Sequence, residues 1–183
     1  MKIEILKHPT DDDWMLCKKC TLVTVSKDSD IPPTEQWKTR LLKANHSPIR
    51  TLQFCFRLTD IPYWLSVHLV RHVHATPFVS TQRNDRQNKY NRENARQDAP
   101  VTMCWYMNAE ELITIAHKRL CMQAFKETRE VVKAICDKVV ELNPEFEGLF
   151  VPNCAYRGGV CDEFNCCGTN RQYRSVYGGN QNS

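Results

Sequence analysis

The sequence predicts an α+β domain, an antiparallel sheet flanked by helices that include one long helix toward the C-terminus. Three observations predict it. Residues 51–59 alternate apolar and polar side chains with period two, and residues 101–107 do the same. Helical periodicity fills most of the remaining chain and runs from Asn108 to about Leu142. The order that results, β-α-α-β-α-loop-β-α, lets the strands pair antiparallel, and no internal repeat interrupts it.

Taken in order, KIEIL (2–6) reads as a short strand, and Asp11–Asp13 as the cap of a helix over Trp14–Val25 that SKDSDIPP breaks. Thr34–Ala44 is helical, with Trp37, Leu41 and Leu42 on one side, and it stops where Pro48 disfavours helix at Ser47. In the strand at 51–59, Leu52, Phe54, Phe56 and Leu58 face one way while Thr51, Gln53, Cys55, Arg57 and Thr59 face the other. Asp60 and Pro62 then start a helix that reaches about Val73. Residues 81–100 hold no aliphatic residue larger than Ala. Their charges, Arg83, Arg86, Lys89, Arg92 and Arg96 against Asp85, Glu93 and Asp98, suit either a solvated loop or a binding loop. Val101, Met103, Trp105 and Met107 line the second strand, and Asn108 with Glu111 forms an N-cap pair opening the long helix. One domain over 1–170 is expected, with a cysteine-rich section at about 152–168 and a flexible tail at 171–183.

Composition narrows the function. A chain of 183 residues can bury a real core, and a net charge of +4 with interspersed signs gives no argument for nucleic acid. The longest apolar runs fall well short of the roughly 18–20 residues that span a bilayer, and MKIEILKHP lacks a signal-peptide core, so a soluble cytoplasmic protein is expected. Ten cysteines in such a protein argue for metal ligands, reactive thiols or buried thiols rather than disulfides. Cys17-x-x-Cys20 together with Cys161 and Cys167 from the C-terminal section would make a four-cysteine structural zinc site, with packed thiols as the alternative.

HLVRHVHATPFVSTQRNDR (68–86) concentrates histidine and arginine where a helix runs into a loop. His68 and His72 share a helix face and, with His74, have the spacing of zinc ligands. No carboxylate stands between them, however, and Arg71 repels a dication. Arg71 and Arg83 present planar forks suited to phosphate, with His72 and Phe78 able to flank a planar ring. An ordinary helix end is the third reading.

Three ordered motifs resemble those of the flavin-dependent thymidylate synthases. NHSPIR (45–50) is similar to the family's His-x-(Ser/Thr)-Pro segment, and LVRHVHATPFVSTQR (69–83) to its Arg-His-Arg signature followed by Ser-x-Arg. MNAEELITIAHKRLCMQAFKETRE (107–130) resembles its Asn-Ala-Arg helix, and ENARQDAP (93–100) the Ala-Arg segment before the second strand. The likeness runs from about residue 14 to 150. It implies methylation of dUMP by methylenetetrahydrofolate, with FAD passing hydride from NADPH, in a homotetramer without nucleic-acid or membrane partners. By the same resemblance His46, Ser47, Arg71, His72, Val73, Asn108, Thr114 and Gln123 would hold the flavin, Gln123 standing where a His is frequent. His68, Arg71, Thr81, Gln82, Arg83, Arg96 and Arg119 would hold the nucleotide, Arg96 from a neighbouring subunit and Arg119 as the catalytic, pyrimidine-activating arginine. The chain departs from the family at Val73 (Arg), at Phe78 and Val79 (Asn-Glu) and at Glu110 (Arg). Those departures leave open a different pyrimidine nucleotide, a product such as hydroxymethyl, or a nucleotide-binding homologue without turnover.

Overall fold

The computed structural model describes residues 1–81 and 96–177. Four strands, β1 (Lys2–Lys7), β2 (Gln53–Pro62), β3 (Thr76–Val79) and β4 (Pro100–Asn108), form one sheet in the order β1-β2-β4-β3, every pair antiparallel. The period-two pattern explains the two central strands. Phe54, Phe56 and Leu58 of β2 and Met103, Trp105 and Met107 of β4 turn to one face and are buried, while Arg57 and Tyr106 on the other face are exposed. The short edge strand β3 lies within the stretch expected to be helix end and turn; it pairs Phe78 with Cys104 and Val79 with Met103.

Seven α-helices surround the sheet among the described residues: α1 (Asp11–Val23), α2 (Glu35–Lys43), α3 (Tyr63–Leu69), α4 (Ala109–Arg119), α5 (Lys126–Leu142), α6 (Asn153–Tyr156) and α7 (Arg171–Tyr177). Short 3-10 turns at Ser47–Thr51 and Pro144–Phe146 connect them to their neighbours. The buried face of the sheet packs on Trp14, Leu41, Leu42, Leu112, Ile115, Val131, Ile135, Val139 and Phe146 in one continuous core. Each large side chain there contributes about 1.5–3 kcal/mol by burial.

Several boundaries differ from the sequence expectation, each for a local reason. The N-cap of α1 is Thr10, which forms a capping box with Asp13, so the three aspartates lie inside the first turn. Asp60 caps nothing. It sits within β2 at φ 58°, where the pairing with β4 shifts register, and an acidic side chain tolerates that left-handed bulge.

The long helix from Asn108 divides into α4 and α5, separated by Leu120–Phe125. No Pro or Gly marks the break. Tertiary contacts hold it open: Phe125 packs 5.2 Å from the His68 ring, and Arg129 donates to the carbonyls of Met122 and Ala124. Residues 171–177, expected within a flexible tail, form α7. Gly159, at φ 89°, lies against it so closely that a Cβ would stand 2.6 Å from Arg174 Cγ.

Among the described residues no helix is long and apolar enough to cross a membrane.

Candidate functional site

α3 and α4 are distant in sequence, and the core brings their C-terminal ends together. Leu65 and Leu69 anchor α3, and Leu112, Ile115 and Ala116 anchor α4. The polar residues at the two ends therefore meet above the sheet. Arg119 Nε donates to His72 Nε2 at 2.8 Å, and Arg119 Nη2 donates to the His68 carbonyl at 3.1 Å. The His72 ring lies 6.0 Å from that of Trp105, whose buried indole N–H has no partner among the described residues.

The electrostatics follow from burial. Desolvation, with Arg119 and Lys118 nearby, pushes the His72 pKa down to about 4, so the imidazole is neutral at neutral pH. Desolvation and the neighbouring Arg71 lower the pKa of Arg119, which stays charged. Among the described residues no carboxylate pairs with Arg119: its partners are a neutral ring and a carbonyl. A guanidinium with another one near it, and with no carboxylate paired to it among the described residues, suits an anion.

Glu111, one turn into α4, is the acidic group behind this pair. It is 6% exposed, and its Oε1 lies 3.9 Å from His72 Nδ1. Burial raises its pKa, opposed by His74, whose backbone N–H also donates to the carboxylate. The sequence marked Glu111 only as the partner of Asn108 in an N-cap, and at that position an acid is ordinarily solvated. Nothing in the one-dimensional pattern signals its burial.

Of the residues implied to hold nucleotide or flavin, His68, Arg71, His72 and Arg119 come together. Asn108 and Thr114 lie beyond Glu111, lining a cavity of about 540 Å³ with Asn45, Arg50, His74 and Glu110. There Asn108 Oδ1 accepts the Glu111 N–H as the cap of α4, and the Thr114 hydroxyl donates to the Glu110 carbonyl. Glu110, the departure from the family's arginine, makes a two-pronged ion pair with Arg50. That pair returns a guanidinium to the same cavity from a different element.

Other residues fall elsewhere. His46 and Ser47 are exposed and line a separate cavity of about 610 Å³ with Trp37 and Arg40. Gln123 is exposed, and its amide donates to the Asn165 carbonyl at 2.6 Å. Val73 is 85% exposed, and Arg96 is taken up by Asp98. Thr81 is half-buried just past β3, while Gln82 and Arg83 lie outside the described residues, as does most of the charged stretch around them.

The four-cysteine zinc site does not form. Among the described residues no group of three His, Cys, Asp or Glu is placed to hold a metal ion. Cys17 is buried under α1, its thiol donating to the Pro48 carbonyl, and burial pushes its pKa up to about 11. Cys167 is exposed and bonded to Thr169. All ten cysteines are free thiols.

No family model and no curated protein matches this sequence. Solved structures do. A structure of thymidylate synthase X (ThyX) from Helicobacter pylori with FAD and dUMP matches with a TM-score of 0.64 at 14% identity, covering 82% of this chain and 97% of that one. A second structure of flavin-dependent ThyX from the same organism, complexed with FAD and dUMP, matches with TM-score 0.64 at 15% identity, covering 82% and 98%. The fold is shared. The likeness covers nearly the whole length of those chains, and the sheet of this chain is antiparallel, as the alternation at 51–59 and 101–107 leads one to expect.

Proposed function

We propose that this chain is a flavin-dependent enzyme acting at C5 of a pyrimidine deoxynucleotide, with methylation of dUMP to dTMP by methylenetetrahydrofolate and NADPH as the reaction. The observation that carries the reading is Arg119, a half-buried guanidinium with Arg71 beside it, a neutral His72 as its partner and no carboxylate paired to it among the described residues. Likeness of fold to enzymes solved with FAD and dUMP supports it.

The chemistry matches that electrostatic setting. Pyrimidine C5 becomes a nucleophile only as negative charge builds on the ring oxygens. A fixed guanidinium in a partly desolvated site stabilises such charge without reorganising. Arg119 has N–H groups left over after His72 and the His68 carbonyl are served, and these are its means of contact. Thr81, Gln82, Arg83 and Arg96 are assigned to the sugar and phosphate, with Arg96 released from Asp98 in a neighbouring copy.

The fit for a flavin rests on the donor set. The cavity beside Glu111 offers the Asn108 amide, Thr114, His74 and the Arg50–Glu110 pair. Its volume falls in the range of small-molecule sites. His72, against Glu111, adjoins this wall, and bound FAD would supply the redox chemistry. His46, Ser47 and Gln123 lie apart from it on one chain, which fits a site completed between copies in a homotetramer.

The test is an absorption spectrum in the flavin band with and without added FAD, followed by tritium release from 5-tritiated dUMP. Uptake of FAD and release dependent on folate and NADPH are expected. A protein that stays colourless with excess FAD would refute the reading. FAD uptake without release would favour a nucleotide-binding homologue without turnover.

A further inference from the structure

The Arg119–His72 hydrogen bond fixes where the proton of His72 must be. Arg119 Nε can only donate, so His72 Nε2 is the acceptor nitrogen. A neutral imidazole carries one proton, and with Nε2 accepting, that proton sits on Nδ1. Nδ1 faces Glu111 Oε1 at 3.9 Å, and the two side chains are only 10% and 7% exposed. Glu111 is itself held. Asn108 caps its backbone N–H, and the His74 backbone N–H donates to its carboxylate. At 3.9 Å the contact is an electrostatic attraction longer than a direct hydrogen bond.

We infer that Glu111 is a positioning residue for Arg119, acting through His72. It holds the imidazole in the Nδ1–H tautomer and keeps Nε2 turned to the guanidinium. The intervening ring has a physical consequence. A carboxylate bonded directly to Arg119 would occupy two of its N–H groups and neutralise its charge. Relayed through a neutral ring, the carboxylate orients the guanidinium and leaves both its charge and its outer N–H groups for a ligand. This is the arrangement by which an outer carboxylate orients a histidine that itself holds the working group. Nothing in the sequence-level resemblance assigned Glu111 a role. The catalytic consequence rests on the flavoenzyme reading, and the tautomer does not.

The experiment therefore has two readouts. Long-range ¹H–¹⁵N spectra of the full chain labelled at histidine report which ring nitrogen of His72 carries the proton. Wild type is expected to show protonated Nδ1 and bare Nε2. Glu111→Gln, whose side-chain oxygen can still accept, is expected to keep that tautomer and most of the turnover. Glu111→Leu offers nothing to the Nδ1 edge, so the ring is expected to turn away from Arg119, giving mixed tautomers and a fall in kcat of about ten- to a hundredfold, with KM for dUMP changed less than about threefold. A purely structural role would lower the folded fraction and leave the tautomer of the folded molecules as in wild type. Protonated Nε2 in wild type overturns the inference, and that result needs no variant to fold. So does an unchanged tautomer in Glu111→Leu. If FAD fails to bind, the flavoenzyme reading fails while the tautomer still decides the role of Glu111. If turnover is intact and the tautomer does not respond, only the role of Glu111 fails.

Discussion

Two regions of this molecule are dense in reactive side chains, and they are built in opposite ways. The ends of α3 and α4 bring Arg119 to His72, 47 positions away in the chain, over the buried face of Trp105. The C-terminal cysteine-rich segment gathers Cys161, Cys166 and Cys167 locally, with Cys166 and Cys167 exposed and bonded to near neighbours such as Asn170 and Thr169. Local crowding leaves Cys166 and Cys167 in water, with only near neighbours to act on them. Convergence across the core desolvates side chains. That is why the pKa of His72 moves down to about 4, whereas that of Cys167 is lowered chiefly by its hydrogen bond with one neighbour, Thr169. Chemical leverage comes from burial and imposed partners, not from the number of reactive residues in a stretch.

The comparison is broken most severely at Arg119. Arg119→Ala is expected to lower turnover by about a hundredfold or more while costing about 1 kcal/mol or less in stability. Tritium release and urea unfolding on the same preparation measure both. Arg119→Lys keeps the charge but loses the fork that serves His72 and the His68 carbonyl together, so little activity should return. Full turnover in either variant would remove the site from this end of the molecule.

A smaller effect should appear in the pH dependence of stability. The folded pKa of His72, about 4, lies below its ordinary 6.5, so between those values the unfolded chain binds the extra proton. Stability is then fully present above pH 6.5 and falls as the pH drops toward 4, by at most about 3 kcal/mol. Arg119 and Lys118 on one side and Glu111 on the other face this ring. The raised pKa of Glu111 works in the opposite sense, stabilising at low pH and losing that contribution as the pH rises. The variant-minus-wild-type difference isolates the histidine. Unfolding of His72→Gln between pH 7 and 4.5 should lose most of the slope, and a slope equal to wild type would show that the ring is not desolvated.

The smallest effect belongs to the thiols of the C-terminal segment, Cys167 exposed and Cys161 half-buried. Replacing Cys161 and Cys167 together by Ser, or treating the protein with a chelator, should change stability by less than about 0.5 kcal/mol. Cys136 is 3% exposed within α5, and burial pushes its thiol up to about 12. Cys136→Ser should therefore cost about 1–3 kcal/mol by burying a hydroxyl in an apolar setting. Thermal melts of the three samples side by side measure this, and a large loss on chelation would contradict the separation of the cysteines.

The two central strands were already legible in the sequence, because alternation at 51–59 and 101–107 leaves one face to bury and water enforces it. The sequence by itself also determined the start of α4 at Asn108, since a short-range cap is a property of the chain alone. Only the tertiary structure decided the rest. The break between α4 and α5 arises where Phe125 meets His68 from another helix, and no local residue announces it. Cys17 was lost to the core, where its thiol serves a carbonyl. Glu111 became part of the site because folding buried it against His72. Propensity and pattern act over a few residues, whereas desolvation depends on what the far parts of the chain bring to the same place. The burial of His72 and its bond from Arg119 arise there.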